Sequence, residues 1–215
     1  MNLKIKKKKS ALAPNQGKIR PDLIRIASWV RQGSRVLDLG CGDGALLAHV
    51  QNNKGVTGVG VEIQDDLVIT CVQKGVEVIQ QNLEDGLAMF DDRQFDTVVL
   101  SQTLQAMKNT EHILMEMSRV ARYGIVSFPN FGHWTHGWSI LNGRMPVTGQ
   151  MPYQWYNTPN IHLCTLHDFE ALASQLGIKI LERATFNEGK EISFMPSWRS
   201  TLAVYHFESA PLQSK

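Results

Sequence analysis

Residues 35–47 read "RVLDLGCGDGALL". Val36, Leu37 and Leu39 form a short apolar run typical of a buried strand, and Gly40, Gly42 and Gly44 follow at once. A helix-forming stretch, "ALLAHVQNN", comes next. Strand, glycine turn and helix in that order place the turn at the carboxyl end of a strand in an open α/β sheet, where ligands bind. Glycine permits backbone conformations and close approaches there that a Cβ would block, and backbone N–H groups are expected to face whatever sits above.

Gly40-x-Gly42-x-x-Ala45 also matches the dinucleotide fingerprint, so the glycines alone leave the ligand open. The carboxylates around them narrow it. Asp38 precedes the first glycine by two residues and Asp43 lies inside the loop. A pyrophosphate would be repelled there, whereas a ligand carrying an ammonium and a sulfonium would be attracted. That disfavours a nicotinamide-dependent dehydrogenase and favours S-adenosylmethionine. Glu62 ends the next strand-like run, "GVGVE", where a carboxylate can accept both hydroxyls of a ribose.

Outward from this unit, short β-rich runs alternate with helix-period runs. "RPDLIRIASWVRQG" predicts a helix, with Pro21 in its first turn, Asp22 at its positive end and Gly33 as its stop. "VTGVGVEI", "VEVIQQN", "FDTVVLS", "GIVSFP", "IKILERATF" and "TLAVYHF" are the further strands. "DDLVITCVQKG" is a helix; "TEHILMEMSRVAR" is another, with Thr110 as candidate N-cap. "TLHDFEALASQLG" has Thr165 and Asp168 at capping-box spacing and Gly177 at its end. The alternation predicts a doubly wound α/β sheet covered on both faces. No helix-period run separates the last two strands, so they are expected to pair antiparallel at one edge.

The chain has 215 residues and is 43% hydrophobic, which suits one packed domain, expected over residues 20–208. Net charge is +2, but Lys4, Lys6, Lys7, Lys8 and Lys9 crowd the first ten residues and leave the remainder slightly acidic. Residues 1–19 read as a solvated, disordered tail in preference to a nucleic-acid or membrane-surface arm. "SALAPNQG" follows without the apolar region a secretory signal needs, and no stretch approaches the ~20 apolar residues of a membrane span. Cys41, Cys71 and Cys164 form no C-x-x-C pair; they predict reduced thiols in a cytoplasmic protein and no metal site.

One segment breaks the rhythm. Residues 129–164 join the fifth strand to the next helix and contain Phe131, Trp134, Trp138, Tyr153, Trp155 and Tyr156. A connection this long is functional or disordered, and the aromatic content argues for order. It is expected to cover the crevice, built around Trp134, Trp138, Trp155 and Tyr156. Its rings can close a core, stack on a substrate or line a partner interface. His133, His136 and His162, with Tyr156, are the candidate bases, although packing and hydrogen-bonding roles are the commoner use of such residues. There is no Pro-Cys pair of a cytosine-C5 nucleophile, and "LSQTLQ" replaces the Asn/Asp-Pro-Pro-aromatic run of amino-group methylases. No catalytic residue is assigned.

"VLDLGCGDG", "GVEI" and "FDTVVLSQTLQ" resemble class I S-adenosylmethionine-dependent methyltransferases. With "RPDL", "VSFPNFGHW" and "GRMPVTGQMPYQWYNTPNIHLCTLHDFEAL", the resemblance narrows to the MetW family of methionine biosynthesis, from about Arg20 to Ile180. It implies a Rossmann-like seven-stranded sheet in the order 3-2-1-4-5-7-6, with the last strand antiparallel. It implies S-adenosylmethionine or S-adenosylhomocysteine as ligand, with Gly40 and Gly42 beneath the methionyl part and Glu62 on the ribose; Asp38, Cys41 and Ile63 are counted with them as candidate binding residues. Asn82 stands where an acid often receives the adenine amino group; its carbonyl can accept the same bond. Leu83 would offer its N–H to the ring, and Ser101 would border the pocket floor. The resemblance further implies an accessory, activating partner of homoserine O-acyltransferase. The alternative is a catalytically active small-molecule methyltransferase.

Overall fold

The computed structural model describes residues 19–149 and 151–209. The lysines of the expected tail lie outside the described residues. Eight strands form one sheet: β1 (Arg35–Leu39), β2 (Thr57–Glu62), β3 (Glu77–Gln80), β4 (Phe95–Ser101), β5 (Ala121–Pro129), β6 (Lys179–Asn187), β7 (Lys190–Glu191) and β8 (Leu202–Glu208). Their order is β3-β2-β1-β4-β5-β8-β6-β7. The first five are parallel, and β8 runs antiparallel between β5 and β6. The order expected from the resemblance holds, with a reversed strand inserted after the fifth.

The eighth strand is a correction to the expected seven. Glu188 and Gly189 both adopt positive φ, 48° and 78°, and fold β7 back onto β6 so that Asn187 pairs with Lys190. Such a turn is signalled best by Asn-Gly or Asp-Gly, and Glu-Gly is a weaker cue.

The pleat sorts the core. Leu37, Leu39, Val98, Leu100, Val126 and Phe128 face one side of the sheet, where they meet α4 (Thr110–Val120) and α6 (Leu166–Gln175). Val36, Val99 and Ile125, one residue out of step, face the other side with α1 (Pro21–Trp29) and α2 (Ala45–Lys54). With both faces covered, Val36 and Leu37 of β1 and Val98, Val99 and Leu100 of β4 are apolar, and a buried carboxylate such as Asp38 stands out beside them.

Helix ends follow the side chains available to them. α1 has proline in its first turn and ends at Trp29, before Gly33, whose φ of 67° serves the turn into β1. Gly55 closes α2 in the left-handed conformation. α6 carries the full capping box between Thr165 and Asp168. α4 is capped by Asn109, whose side chain accepts the N–H of His112 at 3.0 Å; Thr110 is the first helical residue instead. α3 spans Asp65–Gln73. Two helices fall where none was expected: α5 (Trp134–Leu141), inside the long connection, and the single turn α7 (Pro196–Arg199), between β6 and β8.

Candidate functional site

The carboxyl ends of β1, β2 and β4 meet at the glycine turn. Gly40, Gly42 and Gly44 all have positive φ, between 58° and 73°. A Cβ on Gly40 would sit 2.7 Å from Thr103 Oγ1, whereas one on Gly42 would meet nothing within 4 Å. Gly40 is therefore fixed by packing; Gly42 borders open space.

The N–H groups of this turn do not face a ligand as expected. Those of Gly40 and Cys41 both donate to the Val61 carbonyl, at 2.8 and 3.1 Å. Gly42 N–H donates to Glu62 Oε2 at 2.9 Å, Gly44 N–H to the Cys41 carbonyl at 3.0 Å, and Ala45 N–H to Asp43 Oδ1 at 3.2 Å. A pyrophosphate needs free N–H donors. Here the donors are committed and carboxylates stand beside them, so the turn is unsuited to a dinucleotide for two independent reasons.

Glu62, 6% exposed, also accepts from the N–H groups of Ile63 and Gln64 at 2.8 and 3.0 Å. Its carboxylate thus ties the glycine turn to the end of β2, and three of about four acceptor positions are in use. Asp38 is 3% exposed and has no hydrogen-bond partner among the described residues. Burial first, and then the charge of Glu62, push its carboxyl up to about 7, against the opposing pull of Arg20.

Asp43 departs from its expected role. It pairs with Lys74 of the α3 C-terminus at 2.6 Å and braces the first turn of α2, so its charge is answered within the protein. Burial opposes ionisation, but the hydrogen bond and charge of Lys74 prevail and hold its carboxyl below the usual range. The thiol of Cys41 is turned into the core, 3.8 Å from that of Cys71, which in turn reaches the Gly42 carbonyl at 3.2 Å. Burial above all raises the Cys41 thiol far beyond its ordinary range, and it stays protonated. Cys41 supports the turn from beneath.

At the β3 end, the Asn82 side-chain carbonyl caps a 3₁₀ turn, Leu83–Asp85, by accepting the Glu84 N–H at 3.1 Å. This local bond uses one of the two acceptor positions of the oxygen. The Leu83 side chain is buried, and Ile63 is 55% exposed beside the ribose position implied above. Ser101 ends β4, its hydroxyl 3.1 Å from that of Ser127.

A polar group that sequence reasoning missed gathers around Ser101. Asp22 is 5% exposed and accepts from Arg20 Nη2 at 2.9 Å and Gln102 Nε2 at 3.2 Å. Gln102 has a φ of 53°, held by N–H contacts to the Ser127 carbonyl and hydroxyl at 2.9 and 3.0 Å. A bulky residue in the left-handed region marks strain kept by its surroundings. Arg20 and Asp22 carried a signal only as helix-start residues; nothing in the sequence announces the backbone of Gln102.

Each candidate histidine is held through one ring nitrogen, while His136 Nε2 is buried without a partner among the described residues. His133 Nδ1 lies 2.7 Å from Thr135 Oγ1 and caps α5, and His136 Nδ1 lies 3.0 Å from the Phe131 carbonyl. Burial lowers the affinity of both rings for a proton. His162 Nε2 lies 3.3 Å from the Lys108 carbonyl, and Tyr156 is 70% exposed. The connection is pinned at its ends by a bridge between Asn130 and Cys164, while the Ile161 and His162 N–H groups donate to the Gln105 carbonyl beyond β4. Trp134, Trp138, Trp155 and Tyr156, expected as the framework of a cover, are each more than half exposed and close no core.

The family model for methionine biosynthesis protein MetW matches residues 20–207. The chain belongs to the MetW family. A 37% identical relative, the bifunctional methionine biosynthesis protein MetXA/MetW of Rhodopirellula baltica, aligns over 179 residues, 79% of this chain and 29% of that protein. The chain thus spans under a third of that relative's length. Among solved structures, an S-adenosylmethionine-dependent methyltransferase of Thermotoga maritima, a possible histamine N-methyltransferase, superposes with a TM-score of 0.64 at 16% identity, covering 88% of each chain. The cyclase SpnF gives the same TM-score at 15% identity, covering 88% of this chain and 80% of that one. The MetW fold is therefore that of class I methyltransferases, and a cyclase shares it; the fold alone does not name a reaction.

Proposed function

We propose that this MetW-family chain binds S-adenosylmethionine or S-adenosylhomocysteine and acts in the cytoplasm as an accessory, activating partner of homoserine O-acyltransferase. The ligand reading is supported by the glycine turn, whose donors are committed and whose nearest buried charges, Asp38 and Glu62, are negative. Glu62 would receive the ribose hydroxyls by sharing or releasing the Gly42 N–H. A cytoplasmic setting agrees with three free thiols. Among the described residues no helix is long and apolar enough to cross a membrane.

One observation carries the partner reading. Helix α5 is inverted: its apolar residues Trp134, Trp138 and Leu141, which share one face, are 56%, 64% and 81% exposed, while His136 on the opposite face is 2% exposed. Leaving such a face in water forgoes about 1.5–3 kcal/mol per large side chain, which a partner surface would recover. α7 continues the surface. The Ser197 carbonyl accepts from Asn130, three residues before His133, and Phe194 and Trp198 are 68% and 63% exposed. Residues 129–164 then act as a cover whose outer face meets the partner. The name of the R. baltica relative joins MetW to MetXA within one chain, and fusion of two modules holds them at high effective concentration.

Ligand changes the partner's activity only if bound and free forms act on it differently. A coupling of about 1–3 kcal/mol suffices, or about 5- to 150-fold in affinity. The test combines calorimetry against S-adenosylmethionine, S-adenosylhomocysteine and NAD with co-purification from the native source. Binding of the adenosyl ligands but not NAD, with an acyltransferase in the purified complex, is expected. Binding of NAD alone, or absence of the acyltransferase, contradicts the respective half.

A further inference from the structure

A cavity of about 360 Å³ lies between the starts of α4 and α6, on the side of the sheet that those helices cover. That volume is in the range of small-molecule sites. It shares no lining residue with the glycine turn or with the polar group around Ser101. Leu104, Phe128 and Phe169 line it with buried apolar surface. The end of the long connection forms its outer wall, and that wall is already in place. The Ile161 and His162 N–H groups donate to the Gln105 carbonyl at 2.8 and 3.0 Å, and His162 Nε2 lies 3.3 Å from the Lys108 carbonyl.

Two buried polar atoms of the lining residues lack a partner. Gln105 Oε1 and Thr110 Oγ1 make no hydrogen bond among the described residues. The Gln105 amide is fixed in orientation, because its Nε2 donates to the Gln102 carbonyl at 2.7 Å. Oε1 is therefore an acceptor in need of a donor from outside the protein, and a buried acceptor left empty is costly. Lys108 and Glu111 also line the cavity; both are exposed, and neither is ion-paired among the described residues. The other carboxylate there, Asp168, is engaged by the N–H and hydroxyl of Thr165 in the cap of α6. An apolar floor, an empty acceptor, a free hydroxyl and one unpaired charge of each sign together complement a zwitterion with an apolar body.

We propose that this cavity is a second ligand site, separate from the adenosyl crevice, and that it binds a free α-amino acid with an apolar side chain. The side chain lies against Leu104, Phe128 and Phe169. The ammonium donates to Gln105 Oε1, with Glu111 as counter-charge. The carboxylate accepts from the Thr110 hydroxyl, with Lys108 as counter-charge. Bonds of this kind, with one partner ionised, are stronger than neutral ones. A simple amine or a simple carboxylate would leave one of the two empty atoms unmatched.

Titration of the full chain with L-norleucine, hexanoate and pentylamine tests it, read by calorimetry and by the NMR signals of the Gln105 side-chain amide. Hexanoate is norleucine without its amine, and pentylamine is norleucine without its carboxylate. Norleucine should bind saturably and at least about tenfold more tightly than either fragment, the worth of one hydrogen bond to a charged group. Gln105→Met and Thr110→Val should each weaken norleucine by about tenfold. Lys108→Gln, an exposed change, should weaken it by up to about fivefold. Thermal melting reports whether each variant is folded, and Lys108→Gln keeps the test open if a lining variant is not. Saturating S-adenosylhomocysteine should not compete with norleucine. Absence of saturable binding at millimolar norleucine, or equal binding of either fragment, overturns the assignment and leaves the adenosyl reading intact. Competition by S-adenosylhomocysteine overturns it too, by placing the amino acid in the crevice. Norleucine binding by a chain that takes up no S-adenosylhomocysteine upholds this site and overturns the adenosyl reading instead.

Discussion

The glycine-turn crevice and the surface formed by α5 and α7 solve opposite problems. In the crevice, polar groups are buried and nearly all are partnered: three N–H groups converge on Glu62 and two on the Val61 carbonyl. On the other surface, apolar groups are exposed: Trp134, Trp138 and Trp198 are 56%, 64% and 63% exposed, three of the five tryptophans in the chain. Buried polarity without a partner is costly, so Asp38, a buried carboxylate with no hydrogen-bond partner among the described residues, is the group in the crevice that a cation would relieve most. Exposed aromatic surface is costly in a different way, and on the proposed function it is where a second protein is received. On the proposed function each region is completed from outside, one by a small charged molecule and the other by a macromolecule.

The largest effect that can break this division is at Gly42. Gly42→Val should abolish ligand binding, because its side chain enters the open space beside the turn. It should cost only about 1–2 kcal/mol of stability, the penalty of placing an L-residue at a φ of 58°. Calorimetry and denaturant unfolding check the two parts, and retained ligand affinity would break the placement of the site.

On the opposite surface the balance reverses. Trp138→Ala and Trp198→Ala should each weaken the acyltransferase complex by about 2 kcal/mol or more, as interface anchors do. They should change stability by within about 0.5 kcal/mol and leave ligand binding untouched. A large drop in melting temperature with an unchanged complex would show these rings to be structural.

Glu62→Ala sharpens the comparison, because on the proposed function the residue serves both the empty and the filled crevice. It should lower unfolding stability by roughly 1–3 kcal/mol, with the N–H groups of Gly42, Ile63 and Gln64 unpaired, and weaken ligand binding by a similar amount. Loss of affinity without loss of stability would contradict the apo hydrogen bonds described above.

The smallest effect is the pH dependence set by Asp38. Its folded-state value of about 7 lies above the unfolded 3.8. Between the two the folded chain binds more protons, so this residue's contribution to stability falls as pH rises from about 4 to about 7 and is flat above. Binding of a cationic ligand favours the ionised form and so releases a proton when it occurs below about pH 7. Affinity should rise about fivefold from pH 6 to pH 7 and level off above pH 8, following the ionised fraction. Asp38→Asn should flatten both profiles.

The parts legible in the sequence are those where local chemistry and burial agree. Val36 to Leu39, the glycines after them and Glu62 at the next strand end announce their positions, and Thr165 with Asp168 forms the cap its spacing predicts. α5 was illegible because its periodicity is reversed, with histidine inside and tryptophan outside, and because Gly137 interrupts it. The site was half legible. Asp38 and Glu62 carried their charge in the sequence, but the diversion of Asp43 to Lys74 and of the Asn82 carbonyl to its own turn depends on neighbours brought in by folding. Arg20 depends on them most, since it reaches Ser101 from 81 residues away.

The central claim is that a filled crevice is reported to another enzyme through the aromatic surface. The measurement that meets it directly is the rate of purified homoserine O-acyltransferase on homoserine and acyl-coenzyme A, with and without this chain, across a range of S-adenosylmethionine concentrations. The account predicts a complex, a higher rate when the chain is present, and a rate that shifts as S-adenosylmethionine fills the crevice. No complex and no change in rate would contradict it, and a methylated product in the same mixture would identify the chain as a methyltransferase instead.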